Sequence, residues 1–212
     1  MEKMKIGVLL SGSGSTLQSM IDHIKNGQLQ AEIVAVISDN MKAYGLERAK
    51  DAGIPTMVVS LKGKSVDDYS KEICQVLENK DVKLVVLAGF LHKYMNQNKD
   101  MSVINIHPSL LPAFAGKGMY GSKVHKAVIA RGCKLSGCTL HFVNDEYDEG
   151  PIIAQDIVKI SSVETFETLQ QKVQAQEKLT LINGLRDIIS GKVKRRGNTV
   201  FITRESQSSD KE

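Results

Sequence analysis

The run Ser102-Val103-Ile104-Asn105-Ile106-His107-Pro108-Ser109-Leu110-Leu111-Pro112 changes from apolar to polar at its carboxyl end, and the architecture of the chain follows from that change. Val103, Ile104 and Ile106 are β-branched, and so short an apolar run suits a buried parallel strand. Strand side chains alternate faces, so Val103, Asn105 and His107 share one face while Ile104 and Ile106 take the other. Pro108 has no N–H to donate to a ladder, which ends the strand after His107. In open parallel sheets ligands bind at the carboxyl ends of the strands, so an Asn/His pair there reads as a site. The plainer reading is that Asn105 and His107 only tie down a turn.

Outward from this strand the pattern alternates. Strands are expected at Lys5 to Leu10, Glu32 to Ser38, Pro55 to Val59 and Leu84 to Ala88 before it. Between them, Leu17, Met20, Ile21 and Ile24 recur at helical spacing up to Gly27. Gly45 to Ala52 is a short helix closed by Gly53, and Val66 to Asn79 is a helix facing inward through Tyr69, Ile73, Val76 and Leu77. The link into Val103 is near the minimum for a parallel crossover, and its half Asn96-Gln97-Asn98-Lys99-Asp100 reads as loop. After Pro112 a glycine-rich stretch (Gly116, Gly118, Gly121) enters a helix carrying Val124, Val128 and Ile129. Two strands, Ser136 to Val143 and Ile152 to Ile160, flank an acidic turn. A long helix from about Thr165 to Ile189 and a hairpin from Lys192 to Thr203 follow, with Gly197-Asn198 at its turn. The expectation is a single α/β domain over 1–205, with a mostly parallel twisted sheet flanked by helices (Rossmann-like), and a disordered polar tail over 206–212.

Three further patterns carry chemistry. Gly12-Ser13-Gly14-Ser15-Thr16 sits between strand and helix, where free backbone donors and the helix dipole favour an anion. It lacks the lysine of a nucleotide-triphosphate loop, and Leu17 stands where a dinucleotide fingerprint has its third glycine. Asp39 could still mimic a ribose-binding acid, so phosphate site, dinucleotide site and simple tight turn all stay open. The turn Asn144-Asp145-Glu146-Tyr147-Asp148-Glu149-Gly150 is either a solvated acidic turn or the source of a carboxylate that folds back onto Asn105 and His107. It lacks the ligand spacing of a calcium loop. Cys133 and Cys138 have no second pair to make a zinc site, and no metal is expected. His23, His125 and His141 are expected at the surface or half-buried. Lys192, Lys194, Arg195 and Arg196 read as a solvated hairpin edge rather than a nucleic-acid site, since no aromatic residues are interleaved.

Composition narrows the class. The chain has 212 residues, a net charge of +4 and three cysteines. That length allows one sizeable core, and the mild charge falls short of a nucleic-acid signature. No apolar run approaches the ~20 residues that span a bilayer. Neither a signal peptide nor a disulfide framework is evident, and the expected location is the cytoplasm.

Taken together, these residues resemble the folate-dependent formyltransferase family. The resembling segments are Ser11 through Gln18, Val85-Val86-Leu87-Ala88-Gly89-Phe90, Asn105 through Pro112, His141 through Pro151, and Val173-Gln174-Ala175-Gln176-Glu177. The octet from Asn105, joined to the acidic turn, is specific to the family, and the glycine loop points to the branch acting on glycinamide ribonucleotide. The resemblance implies that 10-formyltetrahydrofolate is the cosubstrate. Its formyl group would pass to the ribonucleotide amine by direct attack through a tetrahedral intermediate, a step of de novo purine synthesis. It implies small-molecule partners only, no metal, no nucleic acid and no membrane, in a monomer or homodimer. Asn105, His107 and Asp148 fall on the catalytic positions, and Gly14, Ser15 and Thr16 on the phosphate loop. Gln174, Glu177 and Pro108 fall on ribonucleotide contacts. Leu91, His92, Lys93, Tyr94, Asn105 and Tyr147 fall where the family binds folate. Leu91 to Tyr94 replaces a more apolar run familiar in the family, and Thr16 stands where asparagine is common. A folate-contacting arginine aligns near Val66, with Lys64 the nearby substitute. Formyl-folate hydrolases and the tRNA-directed formyltransferases share this core. The expected difference is an added N-terminal or C-terminal domain, for which this sequence offers no segment. A non-catalytic phosphate-binding module using only the first loop is the alternative outside the enzymes.

Overall fold

The computed structural model describes residues 3–203; the tail expected over 206–212, and the last residues of the 1–205 span, lie outside the described residues. Seven strands form one sheet: β1 (Met4–Leu10), β2 (Ala31–Ser38), β3 (Thr56–Val58), β4 (Leu84–Leu87), β5 (Ser102–His107), β6 (Leu135–Phe142) and β7 (Ile152–Lys159). The helices are α1 (Ser15–Lys25), α2 (Tyr44–Asp51), α3 (Val66–Glu78), α4 (Ser122–Ala130) and α5 (Phe166–Ile189). A separate hairpin, β8 (Val193–Arg196) and β9 (Thr199–Ile202), follows them. The order across the sheet is β3-β2-β1-β4-β5-β6-β7. The first five strands run parallel, and β6 and β7 add to that edge antiparallel. This is the mostly parallel α/β sheet that the alternation of periods implied.

Period-two alternation divides the core. Ile6, Val8 and Leu10 of β1 face Leu17 and Met20 of α1 and Leu181 and Leu185 of α5. Leu9, with Ala35 and Ile37 of β2, faces the other way onto Tyr69, Ile73 and Leu77 of α3. Side-chain caps start the two longest helices: Ser65 accepts from Asp68 N–H, and Thr165 and Thr168 form a reciprocal capping box.

The strand order creates the crevice. The chain lays β2 and β3 on one side of β1, then crosses over to build β4 and β5 on the other. Loops leaving β1 and β4 therefore diverge, and ligands of open α/β sheets bind at such a switch point. Two bonds staple these loops at their roots. Ser11 N–H donates to the Gly89 carbonyl at 3.1 Å, and Leu91 N–H donates to Ser11 Oγ at 3.0 Å.

The connection from β4 to β5 has no helix. Side-chain amides take over the backbone groups a helix would have paired: Asn96 Nδ2 donates to the Met101 carbonyl at 2.6 Å. Asn96 and Asn98 accept from the N–H groups two residues on, at 3.2 and 2.8 Å. After His107 the loop is hung on one hydroxyl of β6. Thr139 Oγ1 donates to the Ser109 carbonyl at 2.7 Å and accepts from Leu111 N–H at 3.0 Å. The Leu111–Pro112 peptide bond is cis.

The close approach of β6 to its neighbours depends on a missing side chain. A Cβ at Gly137 would lie 2.0 Å from the Asp156 carbonyl oxygen of β7 and 2.7 Å from Leu110 Cδ2. Gly137→Ala is therefore expected to cost about 1–3 kcal/mol of stability by overpacking. The expected reading is a lower urea midpoint at unchanged slope; an unchanged midpoint would contradict so tight a crossing.

Candidate active site

At the carboxyl ends of β1, β4 and β5 lies a cavity of about 750 Å³. Asn105 and His107 both open into it, as the strand alternation implied, and Asp148 joins them from the acidic turn. His107 is 3 % exposed. Its Nε2–H donates to the Phe114 carbonyl at 2.9 Å, which leaves Nδ1 facing Asp148 Oδ1 at 3.6 Å. The other Asp148 oxygen accepts from Gly116 N–H at 2.9 Å. Of the two readings of the acidic turn, the structure has the carboxylate folded inward. Its backbone adopts φ +59°, and Phe114, which anchors His107, adopts φ +54°. Left-handed backbone at non-glycine residues is uncommon and clusters at functional sites.

Two histidines correct the sequence reading. His125 and His141, expected at the surface or half-buried, are 1 % and 2 % exposed, and both line the cavity. His141 stands on β6 directly across the antiparallel ladder from Asn105. Its Nε2 lies 3.1 Å from Asn105 Nδ2 and 3.8 Å from Asp148 Oδ1, and its Nδ1 lies 2.9 Å from the Phe142 carbonyl. Pairing Ser136–Val143 antiparallel against Val103–His107 would have exposed this neighbour, because the ladder sets Asn105 opposite His141 and His107 opposite Thr139. Burial, with some repulsion from His107, pushes the His125 imidazole down to about 4; burial likewise lowers that of His141.

The first loop also lines the cavity, through Gly14, Ser15 and Thr16. Gly14 holds φ +68°, and no side chain caps α1, so its first N–H groups remain free for an anion. A Cβ at Gly14 would fall 2.5 Å from the Cα of Gly45, so the loop packs directly on α2. Arg48 of α2 braces it, donating from Nε to the Ser13 carbonyl at 2.9 Å. Asp39, considered above as a ribose-binding acid, is instead engaged by His92, with Oδ2 3.1 Å from Nε2. Leu17, which replaces the third fingerprint glycine, is fully buried.

The remaining candidates fall as follows. Leu91, His92, Lys93, Tyr94, Tyr147, Pro108, Gln174 and Glu177 all line the cavity. Lys93 Nζ lies over the Tyr147 ring, 5.4 Å from its centroid, so the β4 loop and the acidic turn touch there. Burial pushes the Glu177 carboxyl up to about 8, opposed by Lys178. Lys64 does not line the cavity; its ammonium pairs with Glu72 of α3. Among the described residues no three His, Cys, Asp or Glu side chains gather to hold a metal ion, and no helix is long and apolar enough to cross a membrane. Lys194, Arg195 and Arg196 lie exposed on β8, outside the cavity.

The buried imidazoles give a pH dependence of stability. Between about pH 6.5 and 4 the unfolded chain binds a proton at His125 that the folded chain refuses. Stability is then complete above pH 6.5 and falls as the pH is lowered, by at most about 1.4 kcal/mol per pH unit from this group. His141 acts in the same direction. His125→Phe is expected to flatten the slope of unfolding free energy against pH between about 6.5 and 5, measured by urea denaturation. An unchanged slope would show that the ring titrates freely in the folded protein.

Comparison with known proteins agrees with this geometry. The family model described as formyl transferase matches residues 4–185. Phosphoribosylglycinamide formyltransferase of Arabidopsis thaliana, a chloroplastic protein, is 35% identical over 213 residues, covering 98% of this chain and 73% of that protein. The Haemophilus influenzae protein of the same name is 39% identical over 177 residues, 82% of this chain and 81% of that one. The chain spans 19% of the trifunctional purine biosynthetic protein adenosine-3 of Gallus gallus, at 37% identity. The crystal structure of glycinamide ribonucleotide transformylase 1 from Symbiobacterium toebii superposes with a TM-score of 0.87 at 33% identity, over 96% of this chain and 95% of that one. The family match runs from β1 to Leu185 in α5 and takes in every segment that lines the cavity, so this chain belongs to the formyl transferase family.

Proposed function

We propose that the protein transfers the formyl group of 10-formyltetrahydrofolate to the primary amine of 5-phosphoribosylglycinamide. The products are formylglycinamide ribonucleotide and tetrahydrofolate, a step of de novo purine synthesis. The observation that carries this reading is the convergence of Asn105, His107 and Asp148 in a cavity that an uncapped helix start also lines. The lining offers two unlike kinds of surface. Gly14, Ser15 and Thr16 suit a phosphate, and Gln174 and Glu177 suit the ribose hydroxyls. Val66, Phe90, Leu91, Val143 and Tyr147 offer apolar surface for a flat pterin ring. In this reading the amine and the formyl carbon meet at the carboxamide and the imidazole.

In this scheme the chain first supplies proximity, by holding both reactants in one crevice. Attack of the amine nitrogen turns the formyl oxygen into an oxyanion, and the Asn105 amide N–H is the donor placed to stabilise it. Losing one such donor typically costs ~10²–10³ in rate. With a proton on Nδ1, His107 is a cation whose counter-ion is Asp148, 3.6 Å away, and it adds positive charge beside the same oxygen. A carboxylate is too weak a base for a resting amine, but the nitrogen becomes acidic once attack has made it cationic. Asp148 can then take that proton, directly or through water. Breaking the bond from carbon to the folate nitrogen needs a proton on the leaving nitrogen, which His107 or water can return. Protons balance without a covalent intermediate on the chain.

The test is release of tetrahydrofolate from 10-formyltetrahydrofolate, followed with and without the ribonucleotide. Release that requires the ribonucleotide is expected. Release without it would make the protein a hydrolase, and no release would leave a binding module. Asp148→Asn is expected to lower kcat by at least ~10² while the protein stays folded and binds ribonucleotide. Near-normal turnover in that variant would remove the carboxylate from the chemistry.

A further inference from the structure

We propose that His141 is a positioning residue for Asn105: its Nε2 accepts from the Asn105 carboxamide and so fixes on which side of that amide the donor nitrogen stands. The bond directions follow from what each atom can do. The Phe142 carbonyl, 2.9 Å from His141 Nδ1, can only accept, so Nδ1 carries a proton. A neutral ring has one proton, which leaves Nε2 bare and able only to accept. Its partner at 3.1 Å must then be the Asn105 nitrogen rather than the Asn105 oxygen. The result is a one-way relay, from Asn105 N–H to His141 Nε2 and from His141 Nδ1–H to the Phe142 carbonyl. The amide nitrogen keeps its second hydrogen for a ligand in the cavity.

A second proton on His141 would make Nε2 a donor. The Asn105 amide would then have to turn over, setting its oxygen where its nitrogen had been. Two features hold the ring neutral. It is 2 % exposed, and burial disfavours the charged form. The one carboxylate at hand is also committed elsewhere. Asp148 Oδ2 is taken by Gly116 N–H, and Oδ1 stands 3.6 Å from His107 Nδ1 and 3.8 Å from His141 Nε2, too far for a hydrogen bond to the latter. A single negative charge cannot balance two adjacent imidazolium rings, and His107 repels a proton on His141. The carbonyl at the end of the relay is fixed as well. Phe142 N–H donates to the Pro151 carbonyl at 2.9 Å, and a Cβ at Gly150 would lie 1.7 Å from the Phe142 oxygen. The acidic turn therefore packs directly against the atom that sets the tautomer.

The tautomer stands on the structure alone; its use in catalysis rests on the function proposed above. Long-range proton–nitrogen spectra of the nitrogen-15-labelled chain give the first test, with the His141 signals assigned by their loss in His141→Gln. The neutral Nδ1–H form at pH 7 is expected, and an Nε2–H tautomer or an imidazolium at that pH would overturn the proposal. A double-mutant cycle on formyl release gives the second. His141→Leu is expected to lower kcat ~10- to 10²-fold, less than loss of the whole donor, with the ribonucleotide KM within ~2-fold. His141→Gln, which keeps an acceptor, should recover most of that loss. In an Asn105→Ala background the same His141→Leu change should cost less than ~2-fold. Equal losses in both backgrounds would show that His141 acts independently of Asn105. If His141→Leu does not fold, the tautomer measurement decides alone. If release occurs without ribonucleotide, the proposed transfer fails, while the cycle is still read on hydrolysis.

Discussion

The carboxylate of Asp148 is the constraint from which the site's arrangement follows. It reaches the floor of the crevice on a turn with left-handed backbone and remains 11 % exposed. A charge at that depth is tolerable only when hydrogen-bonded and paired. The glycine-rich loop answers one oxygen with the Gly116 N–H, and the end of β5 sets the His107 imidazole 3.6 Å from the other, with the neutral His141 ring beside it. Segments far apart in the chain are thus drawn to one atom group. Each of them is also independently anchored, His107 on the Phe114 carbonyl and His141 on that of Phe142. The carboxylate meets a prepared surround, and little of the geometry is left to side-chain freedom.

Much of this was legible in the order of residues. The strand and helix spans read from apolar periodicity agree with the structure to within one residue at each boundary. Their signals were unambiguous: β-branched runs bounded by glycine, proline or a polar turn. The side-by-side placement of Asn105 and His107 needed only period-two alternation. The acidic turn offered four carboxylates, any one of which could fold back, and only the resemblance to the formyltransferase family singled out Asp148. The burial of His125 and His141 was not legible. Their flanking residues do not say what lies across from them, and only the tertiary packing of α4 and the antiparallel register of β6 enclose them. Lys64 shows the opposite error. The resemblance offered it as the nearby substitute for an arginine aligned near Val66, but Glu72, about two turns along α3, is the partner its ammonium reaches. Side chains fixed by backbone period were readable; those fixed by which strand lies alongside were not.

The tie between Ser11 and the β4 loop bears on how such a site can vary. The two walls of the crevice grow from neighbouring parallel strands whose separation, ~4.8 Å, is dictated by backbone ladder bonds. Ser11 extends that ladder past the strand ends through its own N–H and hydroxyl. The gap a reactant must bridge is therefore inherited from main-chain geometry and is indifferent to what the flanking loops display. The side chains of Leu91-His92-Lys93-Tyr94 can therefore change without moving the opposite wall.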